Sequence, residues 1–171
     1  MTGNLYICGI MTETISIYKN IVYDEVAKTT SYTGAKMIDS DTKAYLRIFT
    51  TDEDRLMLER FWCEACNVAT DLLKPFLSGV EVPSNDGYHE ISESNDYIMV
   101  LELPSNYSTA ILPSMTNSLI NFFVSSIIGK WYKFTNKGES ETYLAEAAKM
   151  LEDVRRKLYH RSKPTRIKPT L

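Results

Sequence analysis

The chain has 171 residues, 44% of them hydrophobic and 24% charged, as expected for one globular domain that can bury a core without disulfides. Its net charge of −3 is uneven, because residues 154–171 hold seven basic and no acidic residues, which leaves the other 153 residues with a net charge of −10. Three cysteines argue against a disulfide scaffold, and no run of roughly 18 apolar residues suggests a membrane span.

The first half of the chain predicts two long helices joined by a connector. The sequence TETISIYKNIVYDEVAKTTSYTG predicts a helix from Thr12 to Gly34. A second helix is predicted to open at Thr50, where Thr50 and Glu53 have the spacing of a capping box, and to end at Pro75. Apolar positions recur at helical spacing in the first helix: Ile15, Tyr18, Ile21, Val22 and Val26.

The second half predicts a hairpin followed by two more helices. Residues 80–104 are rich in turn formers and end in a strand-like run from Tyr97 to Leu103. A third helix is predicted from Pro113 to a break at residues 136–138, and a fourth from Glu139 to His160. Gly129 lies inside the third helix, which suggests close packing of another helix there.

The predicted fold is therefore mainly α. We expect a four-helix bundle-like domain over residues 1–160, with a small β-hairpin at about 80–104 inserted between the second and third long helices, and an extended basic tail over residues 161–171. The helical spacing predicts a shared core made of Phe61, Trp62, Phe76, Phe122, Phe123, Trp131, Leu144 and Leu151.

Catalytic and metal chemistry find little support in the sequence. Cys63 and Cys66 match C-x-x-C, but they lie about three turns inside a predicted helix rather than at its positive end. The other candidate zinc ligands, Cys8, His89 and His160, have no ligand spacing. No Gly-rich phosphate loop or catalytic triad motif is present. We expect no enzymatic activity, no cofactor and no bound metal.

The basic C-terminal segment YHRSKPTRIKPTL, from Tyr159 to Leu171, is the feature that most needs a function. It has too little apolar surface to fold alone, and its two prolines lower the entropy lost when it docks in an extended form. Three interpretations are open at this point: a strap that docks on protein, an arm that binds nucleic acid phosphates, and a solvated end without a partner.

The pattern from residue 50 to residue 165 resembles the head-to-tail connector (neck adaptor) proteins of tailed bacteriophages. The resemblance rests on the capped helix TTDEDRLMLERFW, the strand IMVLELPSNYS, the helix ending in GKWYKFTN, and the final AEAAKMLEDVRRKLYHRSKP. It implies a non-enzymatic virion protein, assembled in the host cytoplasm. About twelve copies would form a ring that bridges the portal and the tail. The implied alternatives are a small nucleic-acid-binding accessory protein and another virion component, such as a tail-completion protein.

The resemblance also implies which residues bind partners. The C-terminal segment would reach the portal protein, and the hairpin loop would meet a neighbouring neck or tail protein. DNA would pass through the channel without specific binding, which suits an acidic body, and no membrane is involved. The implied contact residues are Arg161, Lys163, Pro164, Arg166, Lys168 and Pro169 in the tail, and Asn85, Asp86, Gly87 and Tyr88 in the hairpin.

Overall fold

A computed structural model describes residues 9–37, 43–81 and 96–162 of the chain. The described part is mainly helical with one small antiparallel sheet, as predicted. Its strands are β1 (Ile10–Ile17), β2 (Leu77–Glu81) and β3 (Tyr97–Pro104). Its helices are α1 (Lys19–Lys36), α2 (Ala44–Ile48), α3 (Arg55–Leu73), α4 (Leu112–Thr135) and α5 (Lys137–Leu158).

The sheet has the order β1-β3-β2, with β3 antiparallel to both neighbours. The pairing of β2 with β3 confirms the strands of a hairpin between the second and third long helices. The first strand corrects the sequence prediction, since residues 12–17 are extended rather than helical. Alternation explains the difference, because Ile15 and Ile17 are buried beside Met99 and Tyr97 of β3 while Thr12 and Thr14 are exposed.

Helix α4 is the centre of the helical layer and contacts α1, α3 and α5. The described residues include one segment, Thr109–Thr135, long and apolar enough to span a membrane, with a mean hydropathy of 1.4. Half of the 18-residue stretch that has this hydropathy is buried inside the protein. The buried residues of α4 include Leu119, Phe123 and Ile127. Its apolar character is therefore explained by its position in the core of the protein.

Most of the predicted core is confirmed. Phe61, Trp62, Phe122, Phe123 and Trp131 are buried, and the Trp62 and Phe123 ring centroids lie 4.8 Å apart. Three predicted core residues are instead only partly buried: Phe76, Leu144 and Leu151.

The predicted close packing at Gly129 is also confirmed. A Cβ atom on Gly129 would lie 2.8 Å from side-chain atoms of Leu144 in α5 and 3.1 Å from its backbone nitrogen. The buried Ser140 hydroxyl donates a hydrogen bond of 2.8 Å to the Gly129 carbonyl. The missing side chain therefore lets α5 approach the α4 backbone closely.

The start of α3 differs in detail from the predicted capping box. A short 3-10 turn, Asp52–Asp54, precedes the helix, and the Thr51 backbone N–H and hydroxyl donate to the Asp54 carboxylate at 2.8 and 2.9 Å. Thr50, predicted as the cap, is instead buried, and its hydroxyl lies 3.4 Å from that of Thr30 in α1. The capping residue is therefore Thr51 rather than Thr50, because the Thr50 side chain packs against α1.

Candidate docking surface at the C-terminal segment

The described root of the C-terminal segment is attached to the body by backbone pairing. Arg161 forms an isolated antiparallel bridge with Tyr107, just after β3, and the Ser162 N–H donates to the Asn106 carbonyl at 2.8 Å. The Arg161 guanidinium donates to the carbonyl oxygens of Leu158 and His160 at 3.0 and 3.1 Å. The position at which the basic segment leaves the body is therefore set by the residues that follow β3.

Aromatic contacts support the same region. The Tyr107 side chain is buried, which raises its pKa, and its hydroxyl lies 4.0 Å from the Met115 sulfur in α4. At the end of α5 the Tyr159 ring packs edge-on against Phe76, with centroids 5.3 Å apart. The root of the C-terminal segment therefore contacts three parts of the fold: the end of α5, the segment before β2 and the segment after β3.

A polar cluster joins the last turns of α5 to the start of α4. The Asp153 carboxylate accepts from the Ser118 hydroxyl at 2.8 Å and is paired with Arg156 and Lys157. The Lys157 ammonium also donates to the Ser118 hydroxyl at 2.8 Å and the Ser114 carbonyl at 3.1 Å. The hydrogen bond from Lys157, followed by those from Ser118 and Arg156, lowers the pKa of Asp153 to about 2.

This cluster predicts a specific acid sensitivity. Because the folded-state pKa of Asp153 is about 2 and its ordinary value is 3.8, its stabilisation is present above about pH 4 and lost as the pH falls towards 2. We expect the Asp153→Asn variant to lose less unfolding free energy than the parent between pH 5 and pH 2. Urea denaturation at several pH values measures this. Equal pH slopes for the two proteins would show that Asp153 titrates normally.

An open cleft of about 770 Å³ runs along the exposed side of α5 towards this root. Its described lining carries acidic and basic side chains beside the apolar parts of Met150 and Tyr159. Such a mixed surface suits a protein partner better than a row of phosphates. The lining residues are Lys149, Met150, Glu152, Asp153, Arg155, Arg156 and Tyr159.

The two predicted contact segments are described only in part. Arg161 is half-buried at the tail root, where its guanidinium is bonded to the chain's own carbonyl groups. The remaining predicted contact residues lie outside the described ranges: Lys163, Pro164, Arg166, Lys168 and Pro169, and Asn85, Asp86, Gly87 and Tyr88. Their roles in binding remain predictions.

The two cysteines of the C-x-x-C sequence are both buried free thiols in α3. Burial, the largest effect, raises the pKa of both Cys63 and Cys66, which opposes formation of the reactive thiolate. Within residues 9–37, 43–81 and 96–162, no three His, Cys, Asp or Glu side chains are grouped as metal ligands. The exposed His160 lies beside the root rather than in such a group.

A buried ionic cluster that was not among the predicted sites links the start of α1 to α3. The Lys19 ammonium donates to the two Glu59 oxygens at 2.9 and 3.1 Å, and the Tyr23 hydroxyl donates to Glu59 at 2.9 Å. The Lys19 and Glu59 side chains are only 7% and 9% exposed. Burial, followed by the Glu59 charge, raises the pKa of Tyr23.

Comparisons with known proteins give no relative for this chain. No family model, no curated protein and no solved structure matches it. The site is therefore interpreted from its own residues and geometry.

Proposed function

We propose that the chain is a non-enzymatic virion structural protein, a ring-forming head-to-tail connector subunit that bridges portal and tail. In this proposal the four long helices act as one bundle-like body, and residues 161–171 are an extended strap that docks on the portal protein or a neighbouring subunit. About twelve copies would surround a channel for DNA. The proposal is based on the resemblance of residues 50–165 to phage neck adaptors.

The observation that supports it best is the backbone pairing of Arg161 and Ser162 with Tyr107 and Asn106. A strap transmits a load between subunits only if its root is held, and this root is held by the residues after β3 as well as by the end of α5. The segment beyond it carries Lys163, Arg166 and Lys168, which can pair with acidic protein surface. Exposed ion pairs each contribute only about 0–1 kcal/mol, so several must act together.

The structure suggests where to cut the chain to test the strap. Truncation after Ser162 keeps the pairing with Asn106 and removes only residues 163–171. We expect this variant to fold with unchanged stability and to lose at least about tenfold in affinity for portal rings of the same virus. Co-sedimentation with those rings measures the binding, and urea denaturation measures the stability. A full-length variant with Lys163, Arg166 and Lys168 replaced by glutamine separates loss of charge from loss of length.

The same proteins test the nucleic-acid alternative. An arm for phosphates would bind duplex DNA with an affinity that falls steeply with salt, and truncation after Ser162 would abolish that binding. Normal assembly of the truncated protein on the portal, together with salt-sensitive and tail-dependent DNA binding by the full chain, would reject the strap and favour the arm.

A further inference from the structure

Three large apolar side chains are exposed near the ends of α1, α2 and α4: Tyr32, Leu46 and Phe134, at 63%, 80% and 65% exposure. We call these three residues the end patch. Contacts join the ends of these three helices. The Arg47 guanidinium donates to the Thr135 carbonyl at 3.0 Å, and a Cβ on Gly34 would lie 3.0 Å from the Tyr45 Cα.

Basic side chains surround the end patch. Lys36, Arg47 and Lys133 lie in the last turns of α1, α2 and α4, where the negative helix ends favour cations. The Lys36 ammonium lies 4.5 Å from the centroid of the Tyr32 ring. The exposed Glu139 and Glu141 at the start of α5 add negative charge nearby. A rim of both signs beside apolar groups suits a protein partner better than a phosphate backbone.

A second surface has a pocket with carboxylates on its rim. A pocket of about 440 Å³ lies between α1 and the start of α3, and its lining includes the half-buried Tyr23 and Phe49 and the buried Leu58. The exposed carboxylates of Asp24 and Asp52 also line it. We call this the α1–α3 pocket. Asp24 precedes Lys36 by twelve residues of helix, so the two surfaces are about 18 Å apart along α1.

We propose that the end patch of one copy docks in the α1–α3 pocket of a second copy. The pocket has room for the ring of Phe134, and the neighbouring Lys133 can then meet the carboxylates of Asp24 and Asp52. Because the two surfaces differ, the contact is heterologous, and each copy keeps one end patch and one pocket for further copies. This inference rests on the proposed ring-forming function and names the surfaces that would form the ring.

The test uses two variants of the full chain whose changes are all at exposed positions. The Leu46→Asp/Phe134→Asp variant damages the end patch, and the Asp24→Lys/Asp52→Lys variant damages the pocket rim. We expect each to self-associate at least about tenfold more weakly than the parent in sedimentation velocity. Mixed together, they should form complexes that stop at two chains, because one intact end patch and one intact pocket remain between them. Circular dichroism and urea denaturation check that both variants fold like the parent.

Three results would overturn the inference. They are a parent chain that stays monomeric at every concentration, a parent that stops at dimers, and variants that associate as strongly as the parent. Loss of salt-sensitive DNA binding in the end-patch variant, without self-association of the parent, would assign the patch to nucleic acid instead. Portal binding separates this inference from the connector proposal. If self-association is weakened by these variants as expected but the chain does not bind portal rings, the contact between copies is supported and the connector proposal is rejected.

Discussion

Replacing Glu59 with leucine should lower the free energy of unfolding by about 3–5 kcal/mol. The change removes the carboxylate that lies 2.9 Å from the buried Lys19 ammonium, and it also removes the acceptor of the Tyr23 hydroxyl. The Lys19 ammonium is buried at the start of α1, where it regains water only if the helix moves, and the half-buried Tyr23 hydroxyl loses a hydrogen-bond partner. Urea denaturation followed by circular dichroism measures the loss.

Two controls separate the buried charge from other effects of the substitution. Glu64→Gln breaks a more exposed pair on the same helix, in which Glu64 is 41% exposed and bonds Lys130 at 2.8 Å, and should cost about 0–1 kcal/mol. The Lys19→Met/Glu59→Leu double variant removes both charges and should recover much of the loss. If Glu59→Leu costs no more than Glu64→Gln, the buried pair has little influence on stability.

Replacing Phe123 with alanine is expected to cost about 3–5 kcal/mol. Its side chain is fully buried at the meeting point of α3, α4 and β3, where its ring centroid lies 4.8 Å from that of Trp62 and 5.6 Å from that of Tyr97. Truncation leaves a cavity that the surrounding rings can fill only in part. The midpoint of urea denaturation should fall while the slope stays constant.

Phe134→Ala is the matched control, because it makes the same substitution in the same helix at a position that is 65% exposed. Its effect on the isolated subunit should stay within about 0.5 kcal/mol. Similar losses for the two variants would show that burial of the Phe123 ring is not the source of the cost.

The amphipathic helices could be predicted because their apolar spacing is local. The stripes of α3, α4 and α5 follow the 3.6-residue period, and Gly129 marked the close approach of α5. The strand β1 could not be separated from α1 in the same way. Ile15 fits both a helical stripe with Val22 and an alternating strand with Ile17, and the partner that decides between them, Met99, lies far along the chain.

The candidate sites show the same limit. The basic segment was visible in the sequence, but its attachment to Asn106 and Tyr107 depends on residues about 55 positions away that carry no local signal for pairing. Lys19 and Glu59 are 40 residues apart, and each resembles an ordinary charged helix residue in sequence. A Glu surrounded by Leu58, Phe61 and Trp62 was the one available hint that this carboxylate faces inward.

The position of β1 has a consequence for how the chain is made. Ile10 pairs with Pro104, so about 90 residues must be synthesised after β1 before its partner strand exists. At a synthesis rate of roughly 5–20 residues per second, that interval lasts roughly 5–20 s. During it α1 and α3 can form from local sequence, whereas the backbone N–H and carbonyl groups of β1 stay open to pairing with other nascent chains. Slower translation of the segment between the two strands would lengthen that exposure.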